Sequence, residues 1–148
     1  MTCSLETIRD RAEWSFETPS FLVAFEPEPE TVDPADCFQF DDDIEIARSG
    51  ELHDWFCAVV TIYLKRGDRG DPIGRDVLGG CSYASFRDFT TGHRDRDPMN
   101  RNCSLMRAAR GGVICHYFPD MVRAAAADAR RNVAATPKLR AAGRALPA

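Results

Sequence analysis

At 148 residues, 44% hydrophobic and 28% charged, the chain is sized for one globular domain burying roughly 68–70% of its unfolded surface, without staples or metals. Its longest apolar run, Trp55 to Leu64, falls well short of the roughly 20 residues a membrane span needs. The start, Met-Thr-Cys-Ser-Leu-Glu, lacks a basic region followed by an apolar one, so no secretory leader is predicted and the expected location is cytoplasmic.

Charge is distributed unevenly. Residues 1–58 carry fifteen acidic and three basic side chains, a net of −12, and residues 59–148 carry sixteen basic and eight acidic, a net of +8, giving −4 for the chain. Such asymmetry implies either internal pairing or two differently charged faces offered to a partner. Six cysteines (Cys3, Cys37, Cys57, Cys81, Cys103 and Cys115) show no C-x-x-C spacing, so neither a zinc site nor any cofactor is predicted. Cys57 and Cys81 read as small buried hydrophobes in strands.

In chain order, residues 1–18 are mixed and polar, with a short helix predicted around Leu5 to Ala12. Ser20 to Glu26 is rich in β-formers and stops at Pro27 and Pro29, predicting a strand. Glu26 to Asp36 is an acidic, proline-punctuated loop. Phe40 to Ser49 supports two readings: Phe38/Phe40 and Ile44/Ile46 alternate as in a strand, but Phe40, Ile44 and Ala47 fall at i, i+4 and i+7 and the Asp41-Asp42-Asp43 run suits a helix N-terminus, which favours a short acidic helix. Gly50 stands just past its end.

Trp55 to Lys65 predicts the central strand, with Phe56, Ala58, Val60, Ile62 and Leu64 on one face at period two. A loop over Arg66–Pro72 and a return strand over Asp76–Tyr83 complete a hairpin, in which Gly79-Gly80 marks a bulge or a close backbone approach. Ser85-Phe-Arg-Asp88 has capping-box spacing, and a helical turn there would bury Phe86 and Phe89. Residues 90–112 read as an irregular basic insertion, Val113–Phe118 as a brief strand, and Pro119–Ala134 as the longest helix.

The fold class this predicts is α+β: an antiparallel sheet of three to four strands flanked by two to four helices. Residues 1–135 form the single domain and 136–148 a flexible basic tail.

The chemistry-bearing residues define no catalytic motif. Cys115-His116 are neighbours on a strand and point to opposite faces. His53 and His93 are isolated. A glycine pair without G-x-x-x-x-G-K-[ST] is no phosphate loop. The arginines of 94–110 match phosphate geometry but lack interleaved aromatics to stack bases, which argues against direct nucleic-acid binding. The sharper candidate is the acidic run after Glu26, above all Asp33, Asp36, Asp41, Asp42, Asp43 and Glu45. A dense carboxylate surface can occupy a basic groove that otherwise holds a nucleic-acid backbone. The alternative is an enzyme or ligand-binding domain whose site assembles around Cys81, Tyr83 and His116, with His53 and Asp54 nearby. A homo-oligomer joining acidic and basic halves is a third reading.

Trp55 through Val60, then Asp76-Val-Leu-Gly-Gly-Cys-Ser-Tyr83 and Phe118-Pro-Asp-Met-Val122 opening an alanine-rich helix, together resemble a family of small uncharacterised proteins encoded on phages and plasmids. The similarity covers roughly residues 20–89 and 117–134, with 90–116 as an insertion. The resemblance supplies no catalytic residues. It implies a setting in which small acidic proteins inhibit host defence, including CRISPR and restriction complexes, by covering a nucleic-acid-binding surface. The expected function is therefore a non-enzymatic, anti-CRISPR-like inhibitor whose acidic surface binds a basic protein partner.

Overall fold

The computed structural model describes residues 2–91 and 117–137. Their architecture is α+β. The strands are β1 (Cys3–Ser4), β2 (Trp14–Glu17), β3 (Phe21–Phe25), β4 (Glu28–Pro29), β5 (Phe56–Arg66) and β6 (Arg69–Cys81). The helices are α1 (Leu5–Arg11), α2 (Asp41–Ser49), α3 (Phe86–Thr91) and α4 (Tyr117–Ala135), with short 3₁₀ turns at Pro34–Asp36 and Leu52–Asp54. The strands form one sheet in the order β1-β6-β5-β3-β2, with β4 paired to β5.

Six strands correct the expected three to four. The additional ones are short: β1 and β4 hold two residues each and are defined by their partners, not by any periodicity of their own. The hairpin loop is also tighter than predicted. It turns at Gly67 (φ 62°) and Asp68, so β6 starts at Arg69 and runs through Pro72. A positive φ at the first loop residue suits the twist of the flanking strands and favours glycine. Pro72 is accommodated because β1 pairs only with Gly70 and Arg69, leaving β6 beyond them as an edge, where a missing donor costs least.

The described chain falls into two compact units. The first is drawn from the described residues within Met1–Glu28, Ala58–Leu78 and Met121–Ala148, and the second from those within Pro29–Cys57 and Gly79–Asp120. In the first, β3 pairs with β2 and with β5 in antiparallel register, Val23 standing opposite both Phe16 and Ile62. The alternation along β3 sends Leu22 and Ala24 to one face, where they bury with Tyr63 against Leu5 and Ile8 of α1. Burial of each large apolar side chain there contributes roughly 1.5–3 kcal/mol. Ser4 caps α1 without a side-chain hydrogen bond; the hairpin turn supplies the acceptor, since Leu5 N–H donates to Asp68 O at 2.8 Å. A Cβ at Gly70 would lie 3.1–3.2 Å from Ile8, Tyr63 and Leu5, so α1 packs as closely as a bare backbone allows.

Above this core lies a polar bridge. The Tyr63 hydroxyl donates to Glu26 Oε1 at 2.5 Å and accepts from Arg11 at 3.1 Å, while the Arg11 guanidinium also pairs with the Glu26 carboxylate. Burial first, then the Glu26 hydrogen bond, pushes the Tyr63 phenol up to about 12.

In the second unit, Phe56, Tyr83, Phe86, Phe89 and Phe118 form edge-to-face and tilted ring pairs with centroids 5.0–6.3 Å apart. Phe89 is buried as the sequence predicts, and Phe86 is half-buried. The serine half of the predicted capping box is present, Asp88 N–H donating to Ser85 Oγ at 3.0 Å. Helix α4 starts at Tyr117, two residues before Pro119, which corrects the strand expected through Phe118. Proline fits the first turn, whose N–H groups lack intrahelical acceptors. Residues 113–116, the body of the 90–112 insertion and the tail beyond residue 137 lie outside the described residues.

Candidate acidic interface

All six predicted acidic residues fall in the second unit, and the local sequence gives them distinct tasks. Asp33 precedes Pro34 and caps the first 3₁₀ turn, its carboxylate accepting from Ala35 N–H at 3.0 Å. The same Oδ1 accepts from Arg48 at 2.8 Å, tying the last turn of α2 to the preceding loop. The Ala35 amide, followed by Arg48, holds the Asp33 carboxyl below its ordinary range. Asp33 is thus committed internally.

The other five present open carboxylates. Asp36, Asp41, Asp42, Asp43 and Glu45 are all exposed, and among the described residues none of them forms a salt bridge. Asp41, Asp42 and Asp43 occupy the first turn of α2, where the helix dipole favours negative charge. At 3.6 residues per turn, Asp41, Asp42 and Glu45 fall within an arc of about 100°. The helix itself buries no residue. Ile44 and Ala47 are half-buried, whereas Phe40 is 63% and Ile46 52% exposed.

The loop carrying this surface is anchored by contacts that sequence reasoning missed. Glu30, which reads as one more acid in a charged run, accepts from Gly80 N–H at 2.7 Å and from Thr31 and Val32 N–H groups at 2.8 and 3.1 Å. The Gly80 amide is the first cause holding its carboxyl below the ordinary range. Gly80 has φ 68°, and a Cβ on Gly79 would lie 2.9 Å from Glu30 Oε2. The close approach expected of the glycine pair is therefore real, and a carboxylate fills it. Trp55 Nε1 donates to Val32 O at 2.9 Å, fixing the same loop from beneath. Glu26, expected at the head of the acidic run, is instead spent in the Arg11–Tyr63 bridge of the first unit.

The alternative constellation is partly assembled. His53 Nδ1 is 2.9 Å from Tyr83 O, and Tyr83 N–H donates to His53 O at 2.9 Å. Asp54 Oδ1 is 3.4 Å from His53 Nδ1, while Oδ2 accepts from Glu51 N–H at 2.8 Å and closes a capping box. Cys81 is buried near the end of β6, and its Sγ contacts Gly79 O at 4.0 Å. Tyr83 packs its ring on Phe56 and Phe89, and His53 presents an edge contact to Phe86 at 6.0 Å. Cys57, expected like Cys81 to be buried in a strand, lies in β5 but is only half-buried. His93, Cys103, Cys115 and His116 lie outside the described residues. Among the described residues no three His, Cys, Asp or Glu side chains are grouped to hold a metal ion, and no helix is long and apolar enough to cross a membrane. In comparisons with protein-family models, curated proteins and solved structures, nothing matches this chain.

Proposed function

We propose that this chain is a non-enzymatic binding protein whose α2 surface engages a basic protein partner, in the manner of a mobile-element inhibitor of a host nucleic-acid-handling defence complex. The observation that carries the reading is α2 itself, a helix that buries no residue yet displays Asp41, Asp42, Asp43 and Glu45 beside Asp36. A helix that buries no residue fully has its outer face free for another task, and five carboxylates without a salt bridge among the described residues attract a basic surface and accelerate encounter. The packing of Tyr83 and His53 among aromatic rings supports assigning Cys81 and Tyr83 to stability rather than chemistry.

The test is affinity capture of the tagged chain from bacterial lysate at low and raised salt, alongside an Asp41→Lys, Asp42→Lys, Asp43→Lys variant. The expected result is a nucleic-acid-handling complex retained by the wild type at low salt, released at high salt, and absent with the variant. Equal retention by a folded variant rejects the acidic surface as the determinant.

A further inference from the structure

The Glu30 side chain meets donors on both of its oxygens. Oε1 accepts from Thr31 N–H at 2.8 Å and Val32 N–H at 3.1 Å in its own loop, and Oε2 accepts from Gly80 N–H at 2.7 Å near the end of β6. Gly80 presents that N–H from the left-handed region, at φ 68°. Gly79 leaves the room for it, since a Cβ there would lie 2.9 Å from Oε2. Val32 is held a second time, its carbonyl accepting from Trp55 Nε1 at 2.9 Å. Asp33, next in sequence, carries the connection on to Arg48 of α2.

Every one of these Glu30 bonds is accepted, none donated, and only an ionised carboxylate offers acceptors on both sides. A glutamine has one acceptor oxygen, and its amide nitrogen would point a donor at a donor. A protonated acid is in the same position, because one oxygen becomes a hydroxyl. Among the described residues no basic side chain forms an ion pair with Glu30, so backbone amides alone hold its charge. The ionisable groups on the neighbouring elements have partners of their own. Asp33 goes to Ala35 and Arg48, Asp54 to Glu51 N–H and His53, and the Cys81 thiol lies 4.0 Å from Gly79 O. The Gly80 amide first, then that of Val32, holds the Glu30 carboxyl below its ordinary range.

We infer that Glu30 is a carboxylate latch: it closes only when ionised, and loss of its charge releases the loop that carries Val32 and Asp33 from Gly80. It is a positioning residue, acting on the acidic surface through Asp33 and its tie to α2. The latch is a property of the chain alone and holds whether or not α2 meets a basic partner. Because the folded protein keeps this carboxyl low, the stabilisation is complete above the ordinary glutamate range. It is lost as pH falls through the depressed value.

The test follows the full chain by amide NMR, from neutral pH down to the onset of acid unfolding. The Gly80 and Val32 amide protons and the Trp55 indole N–H are expected to shift together along the titration curve of the Glu30 carboxyl. Glu30→Gln at neutral pH is expected to move these three signals in the direction that acid moves them in the wild type. It is also expected to make the Gly80 amide exchange with solvent about tenfold faster. Gly79→Ala opens the same latch with the carboxylate intact, because its Cβ crowds Oε2, the far end of a flexible side chain. The same faster exchange is expected there at little cost to the fold, which circular dichroism checks. A wild-type Gly80 amide that ignores the ionisation of Glu30 overturns the inference. So does a Gly80 amide that exchanges at the wild-type rate in either folded variant.

Discussion

Helices α1 and α2, seven and nine residues long, receive opposite treatment from the rest of the chain. Helix α1 is short enough to be marginal alone, yet it buries Leu5 and Ile8 and donates its first N–H to a carbonyl in the turn of a hairpin. Helix α2 begins with a better electrostatic start, three aspartates in its first turn, and buries nothing. A good local signal and a structural contribution are therefore separate properties. Where a helix forms without being needed by a core, its side chains are available to other molecules.

The contrast can be broken most strongly at Ile8. Ile8→Ala is expected to cost about 2–5 kcal/mol by removing a fully buried side chain, whereas Ile46→Ala in α2 is expected to stay within about 0.5 kcal/mol. Urea unfolding of both variants checks this, and similar midpoints would erase the distinction. Next in size is Tyr63→Phe, which strips Glu26 of its hydroxyl donor inside the first unit and is expected to cost about 1–3 kcal/mol. A smaller effect follows from ionisation. The Tyr63 phenol is raised from 10.0 to about 12, so the folded state favours the protonated form. That stabilisation is complete below pH 10 and is lost as pH rises toward 12. Ultraviolet titration is expected to show one tyrosine ionising late and stability falling across that interval; Tyr63→Phe should flatten the decline. The smallest effect belongs to Arg48→Ala, which cuts an exposed ion pair with Asp33. Its melting temperature is expected to remain close to wild type, as surface pairs contribute little.

Sequence patterns revealed those elements whose burial follows a regular period. The long alternation from Phe56 to Leu64 is the clearest case, for it points to the strand that forms and to the face it buries. What stayed hidden depends on partners distant in sequence. Trp14–Glu17 carries too few residues to show alternation and becomes a strand by pairing with Phe21–Phe25. The hairpin turn was expected across Arg66–Pro72, because Gly70, Asp71 and Pro72 signal a break as strongly as Gly67 and Asp68. In the candidate interface the carboxylates could be counted from sequence but not sorted: Glu26, Glu30 and Asp33 look like Asp41 and Asp42 until a tyrosine, a glycine amide and an arginine claim them.

The pairing of β3 with β5 has a kinetic consequence. The turn between β2 and β3 and the turn between β5 and β6 join neighbouring strands through very short connections, so both hairpins can form locally. Joining them brings Val23 opposite Ile62 across the long segment that contains α2, and this closure is the step most exposed to chain entropy. Loop-closure cost grows only logarithmically, roughly 0.6 kcal/mol for each doubling of length. The segment bearing the acidic helix can thus lengthen or shorten with little penalty to stability, although a longer closure slows folding, so its exposed surface tolerates changes that the strands flanking it in sequence do not.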